Sequence, residues 1–174
     1  MSDILYLQLK LQNMTIHKLP LEEFDEIDYQ LIAIHSPLED YRLAYYINQS
    51  LPINLKKSNC DIHISNKDGE TQFARFVFED DKDIAWSLVQ NQNDAILTTE
   101  NNNQGLFANS NNAFSPKIYL IPEFKKVDYF LKIENDEVAI DVSKIINNLK
   151  KIDRVSTVYA VEVEKIKSKN NLIF

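Results

Sequence analysis

The residues with the clearest chemical potential lie in the segment Ile121-Pro122-Glu123-Phe124-Lys125-Lys126-Val127-Asp128-Tyr129. If Glu123 and Asp128 met beside the phenol of Tyr129, they would form a carboxylate pair able to move a proton or hold a cation, with Lys125 or Lys126 available to an anionic ligand. In an extended chain the odd separation of the two acids sends them to opposite faces, so convergence requires a turn between them. The competing reading is architectural. Pro122 ends a strand by removing a ladder donor, and Glu123 and Asp128 accept turn amides before Tyr129 opens the next strand. We favour this structural corner and assign no catalytic residue.

Other reactive residues are scattered. Only Gly69 and Gly105 exist, so no phosphate-cradling loop of Walker or Rossmann type can be built, and no Gly-x-Ser-x-Gly elbow occurs. Cys60, the sole cysteine, sits in an alternating stretch and reads as a buried core thiol rather than a nucleophile. His17, His35 and His63 lack the spacing of paired metal ligands and read as ordinary solvated or hydrogen-bonded histidines. Glu79, Asp80, Asp81 and Asp83 lack the glycine and closing glutamate of a calcium loop and read as a solvated hairpin turn. No metal and no cofactor is expected.

The C-terminal stretch is the second candidate. Lys165, Lys167 and Lys169 alternate, Asn170-Asn171 follow, and Leu172-Ile173-Phe174 close the sequence. One reading is a docking peptide that adds to a partner's sheet or enters a groove, with the lysines as a local positive patch. The other has Phe174 folding back onto its own core or fraying.

These segments need a frame. From Ile27 to His35 apolar residues fall on both alternating faces, as in a strand covered on both sides. Ser36-Pro37-Leu38-Glu39 has the form of a capping box that starts a helix, with Leu43, Tyr46, Ile47 and Ser50 on one stripe and an end near Leu51, before Pro52. Cys60 to Gln90 reads as a three-stranded antiparallel meander. Its first strand carries Cys60, Ile62 and Ile64 and turns at Asp68-Gly69; the second carries Ala74, Phe76 and Phe78, and the third Ile84, Trp86 and Leu88. Residues 91–115, rich in Asn, Ser and Gln, read as a polar loop that Leu106, Phe107 and Phe114 could pin to the core or to a partner. Strands at Lys117–Pro122 and Tyr129–Glu134 follow, then a helix marked by Val142, Ile145, Ile146 and Leu149 and closed by Lys150 and Lys151. A last strand runs from Val155 to Val163, with Val155, Thr157, Tyr159, Val161 and Val163 on one face. Residues 1–13 form an N-terminal extension, and Met14 offers a second start to a single domain over 14–174.

Ile27-Asp28-Tyr29-Gln30-Leu31 echoes as Val127-Asp128-Tyr129-Phe130-Leu131, each leading into strand, helix and strand. A duplicated β-α-β unit accounts for this, and so does chance. The fold expected is α+β, a mostly antiparallel sheet with two helices packed on one face. The Ile-Pro-Glu at 121–123 and Val-Asp-Tyr at 127–129 resemble the bacterial IPExxxVDY family at every defining position, and the resemblance spans about Met14 to the C-terminus. It implies no activity, substrate or cofactor.

A net charge of -7 opposes binding to phosphate backbones, and Arg42, Arg75 and Arg154 lie far apart, with no bidentate clamp in view. One cysteine, no membrane-length apolar run and no secretory leader point to the cytoplasm. The sequence therefore predicts a non-enzymatic protein-binding or adaptor domain that meets an unidentified protein partner through the C-terminal segment, the Asn-rich loop, or both. The alternative is a small-molecule binder or enzyme with its site at Ile121–Tyr129. RNA association through the C-terminal lysines ranks third, against the overall charge.

Overall fold

The structure, a computed structural model, describes residues 28–67, 69–80, 84–96, 115–134 and 140–174. The N-terminal extension, His17, the start of the first expected strand and the centre of the polar loop with Leu106, Phe107 and Phe114 lie outside them.

Strand β1 (Tyr29–His35) leads to helix α1 (Asp40–Ser50) and the short strand β2 (Lys56–Lys57). Strands β3 (Ile62–Asn66), β4 (Gly69–Phe73), β5 (Arg75–Glu79), β6 (Ala85–Gln90), β7 (Gln92–Asp94) and β8 (Lys117–Tyr119) follow, then a 3-10 turn at Pro122–Phe124. The chain continues through β9 (Tyr129–Glu134), helix α2 (Val142–Leu149) and β10 (Thr157–Ala160), and closes with 3-10 turns at Val163–Lys165 and Lys169–Leu172. Six strands form one antiparallel sheet in the order β10-β1-β9-β6-β5-β2, and two ribbons, β3-β4 and β7-β8, stand apart from it. The protein is α+β as its sequence predicts. Without β2–β5 and β7–β8, the path β1-α1-β6-β9-α2-β10 is a split β-α-β arrangement with β1 and β9 central.

Period-two alternation sorts the sheet's side chains into two cores. Ile32, Ile34, Phe76, Trp86, Leu88, Tyr129, Leu131 and Ile133 meet Leu43, Ala44 and Ile47 of α1 and Ile145 and Leu149 of α2, so both helices cover one face. Leu31, Ala33, Val89 and Phe130 face the other way, under Phe73 of β4, Ile118 of β8, Ile121, Val127 and the C-terminal Val163, Ile166 and Leu172. At the β3-β4 hairpin Gly69 has φ +133°, a backbone that L side chains rarely adopt, and an added Cβ would sit 3.2 Å from the Ala95 Cβ.

Several expectations change. Strand β3 does not extend the β5-β6 meander; it pairs with β4, a separate strand that ends before Ala74. Cys60 is exposed and precedes β3, so it is not a core thiol. The capping box at Ser36–Glu39 does not form, and α1 begins at Asp40 without a side-chain cap. The Ser36 hydroxyl instead accepts the Leu38 amide at 3.2 Å, and its own amide is engaged elsewhere. The polar stretch is ordered at its start, where β7 pairs with β8. Strand β10 spans only Thr157–Ala160, with Tyr159, Val161 and Val163 at the second core and Val155 at the helix-covered one.

The echo is out of phase with the sheet. Strands β1 and β9 are antiparallel neighbours in register Ile34↔Tyr129 and Tyr29↔Glu134. Tyr129 therefore faces the helices while its echo, Tyr29, packs on the opposite core. A slip of one residue reverses every side chain, so the echoed residues are not structural equivalents even though a β-α-β path occurs twice.

Leu172 is 1% exposed and Ile173 79%. Leu172→Ala should cost about 2–5 kcal/mol and Ile173→Ala less than about 0.5 kcal/mol in urea unfolding of the two variants.

Candidate functional site

The 3-10 turn begins at Pro122, whose fixed φ suits a first helical position, and the Phe124 amide closes it on the Ile121 carbonyl at 3.0 Å. This turn does not bring Glu123 and Asp128 together. The Glu123 Oε1 accepts the amides of Lys167 and Ser168, both at 2.9 Å, and its Oε2 accepts the Ser168 hydroxyl at 2.7 Å. Asp128 instead takes the Ser36 amide at 2.9 Å, beyond the end of β1. Tyr129 is 3% exposed and donates its phenol to the Leu38 carbonyl at 2.5 Å.

Each acid therefore fastens a different distant segment to the corner. Partial burial would raise the Glu123 pKa, but hydrogen bonds from the Ser168 hydroxyl, its own amide and the amides of Lys167 and Ser168 outweigh it and hold the carboxyl below its ordinary 4.5. Burial pushes the Tyr129 phenol well above its ordinary value, reinforced by Asp40, Asp128 and Glu39. The phenol stays protonated at neutral pH, as its donated bond requires, and is unsuited to serve as a base.

The residue that organises this corner is Asn91, assigned from sequence to the polar loop. It is completely buried. Its Nδ2 donates to the Phe124 and Val127 carbonyls at 2.8 and 3.0 Å, and its Oδ1 accepts the Ile121 amide at 2.9 Å. Its backbone bonds the Asp128 carbonyl and the Leu120 amide, each at 2.8 Å. A side chain with both donors and an acceptor can saturate a turn's inward-facing groups in this way. Its position beside an alternating strand carries no local mark of that role.

The C-terminal residues form no alternating strand. Lys165 closes a 3-10 turn and pairs with Glu162 at 2.5 Å, and Lys167 presents its amide to Glu123. Lys169 opens the last 3-10 turn, which Asn171 ties to the Leu120 carbonyl at 2.8 Å. Leu172 lies in the second core, and its carbonyl accepts the Lys132 ammonium at 2.7 Å. Lys132 is itself 4% exposed, paired with Glu134 at 2.5 Å and set 4.8 Å from the rings of Tyr29 and Phe174. The side chain of Ile173 alone among Leu172, Ile173 and Phe174 stands free in solvent.

The Phe174 ring borders an open cleft of about 500 Å³ on the sheet face away from the helices, lined by Lys56, Arg75, Val77, Ala85, Ser87 and Glu134 among others. A second cleft of about 430 Å³ is edged by Asp40, Asp61 and Asp94. Neither is lined by Glu123, Asp128 or Tyr129. Among the described residues no three His, Cys, Asp or Glu side chains are placed to hold a metal ion, and no helix is long and apolar enough to cross a membrane. His63 lies 3.8 Å from Glu70 across the β3-β4 hairpin, and His35 stacks on Tyr159 with ring centroids 5.9 Å apart. Comparison of the chain with family models, curated proteins and solved structures finds no match.

Two outcomes follow from the corner. Asn91→Ala strands the Ile121 amide and two carbonyls and should cost about 3 kcal/mol or more in chemical denaturation. Because the Glu123 pKa is lowered on folding, its contribution is present above the ordinary 4.5 and is lost as pH falls through the folded value. The stability gap between wild type and Glu123→Gln, followed by urea unfolding across pH, should be widest near neutrality and close in acid.

Proposed function

We propose that this chain is a non-catalytic cytoplasmic protein-binding domain, related to the IPExxxVDY family through the residues of its motif, whose recognition surface is the C-terminal corner. The observation that carries this reading is the division of labour among the polar groups. The motif's acids and phenol are committed to internal backbone partners, whereas Ile173 projects a large apolar side chain into solvent next to the Phe174 cleft. An exposed aliphatic beside a concave, partly apolar surface is the form of a small anchor-and-pocket contact. The 3-10 turns and the bonds to Glu123, Lys132 and Leu120 hold the corner in one shape, which lowers the entropy cost of association. A net charge of -7 favours a protein partner over nucleic acid.

The motif offers no comparable support for enzymatic action. A general acid or base must reach a substrate proton, and here Asp128 and Tyr129 are turned to the Ser36 amide and the Leu38 carbonyl.

The test is affinity purification from the native cell with wild type and Ile173→Asp side by side. A partner retained by wild type and by Tyr41→Ala on the outer face of α1, yet lost at least tenfold with Ile173→Asp at unchanged melting temperature, is the expected result. Equal recovery with all three proteins would end this reading.

A further inference from the structure

The cleft beside Phe174 holds an arginine without an anion. Arg75 forms no ion pair among the described residues, and its buried Nε has no hydrogen-bond partner. Its guanidinium lies 5.2 Å from the centroid of the Phe174 ring, and the Lys132 ammonium lies 4.8 Å from that centroid. Attraction to a ring leaves the hydrogen-bonding capacity of a guanidinium unused, and its N–H fork matches the two oxygens of a carboxylate.

The surroundings narrow the ligand class. Val77 of β5 and Ala85 and Ser87 of β6 face the cleft from the side of the sheet away from the helices, and their short side chains make a floor that suits an apolar body. Lys56, opposite Val77 in the β2-β5 register, adds a second cation at the rim. Two acidic side chains border the same space. Glu134 is neutralised by Lys132, and Glu79 is exposed at the end of β5. The Glu79 charge penalises a dianion more than a monoanion.

We propose that this cleft is a binding site for a small organic monocarboxylate, with Arg75 as the anchor, Lys56 as the auxiliary cation and the Phe174 ring as a movable cover that yields the Arg75 donor edge to the ligand. A volume of about 500 Å³ falls in the range that encloses small ligands. Ile173 is 79% exposed and its amide makes only a long 3.4 Å bond to the Asn170 carbonyl, so the backbone leading to Phe174 is lightly held. The site goes beyond the protein-binding reading and does not depend on it, since the isolated chain suffices to test it.

Binding is followed by titration calorimetry, because the indole of Trp86 packs in the helix-covered core on the opposite face of the sheet. Phenylacetate and hexanoate are titrated into the full chain, with phenylacetamide as the uncharged counterpart of the first and inorganic phosphate as the competing oxyanion. At least one carboxylate should saturate at one site per chain, phenylacetamide and phosphate should bind at least tenfold more weakly, and Arg75→Gln should lose at least tenfold in affinity. Arg75→Lys keeps the charge and most of the stem but not the fork, and should weaken binding in a protein that still folds if Arg75→Gln does not. Absence of saturation by both carboxylates, a preference for phosphate, or wild-type affinity in the folded arginine variants would overturn the proposal. Loss of partner capture on Ile173→Asp is read separately, so either idea can fail alone.

Discussion

The backbone of Tyr129–Glu134 is hydrogen-bonded to β1 along one edge and to β6 along the other, while its side chains feed two separate cores. A strand enclosed in this way cannot leave either face uncovered, because its apolar side chains on both sides must be removed from water. The two helices meet the demand on one face. On the other, two small ribbons, the motif corner and the C-terminal turns do so together. That second cover is assembled from short pieces with little regular structure, and polar bonds must hold it in place. Glu123, Asn91, Asn171 and Lys132 supply them.

Lys132 shows the cost of such an arrangement. An ammonium buried within a central strand is tolerable only with its charge and protons accounted for. Glu134, the Leu172 carbonyl and the rings of Tyr29 and Phe174 provide this together. The same residue thereby locks the end of the chain to the sheet. The C-terminal corner is thus a built surface, tied to the sheet up to Leu172 and projecting Ile173 into solvent.

The motif has an architectural meaning. Its proline and flanking apolar residues set a tight turn, its glutamate fastens the C-terminal segment, and its aspartate and tyrosine fasten the connection between β1 and α1. With Asn91, four separated pieces of chain meet at one bend. A sequence signature of this kind marks a packing junction as readily as a reaction centre.

Alternating and helical periodicity in the sequence determined the central strands, both amphipathic helices and the break before Pro52, because burial of one or both faces imposes a spacing that local composition records. Tyr129–Glu134 and Val142–Leu149 are legible for this reason. Tertiary structure alone decided that the Tyr29 and Tyr129 echoes face opposite cores, that β3 leaves the main sheet for β4, and that Ser36 gives its amide to Asp128 instead of capping a helix. It also decided that Asn91 saturates a turn more than thirty residues away and that Arg75 lies against Phe174. A lone polar residue beside a strand looks the same locally whether it ends in solvent or in a core. Its partner is chosen by which distant segment the folded chain delivers to it, and no periodicity within the strand encodes that.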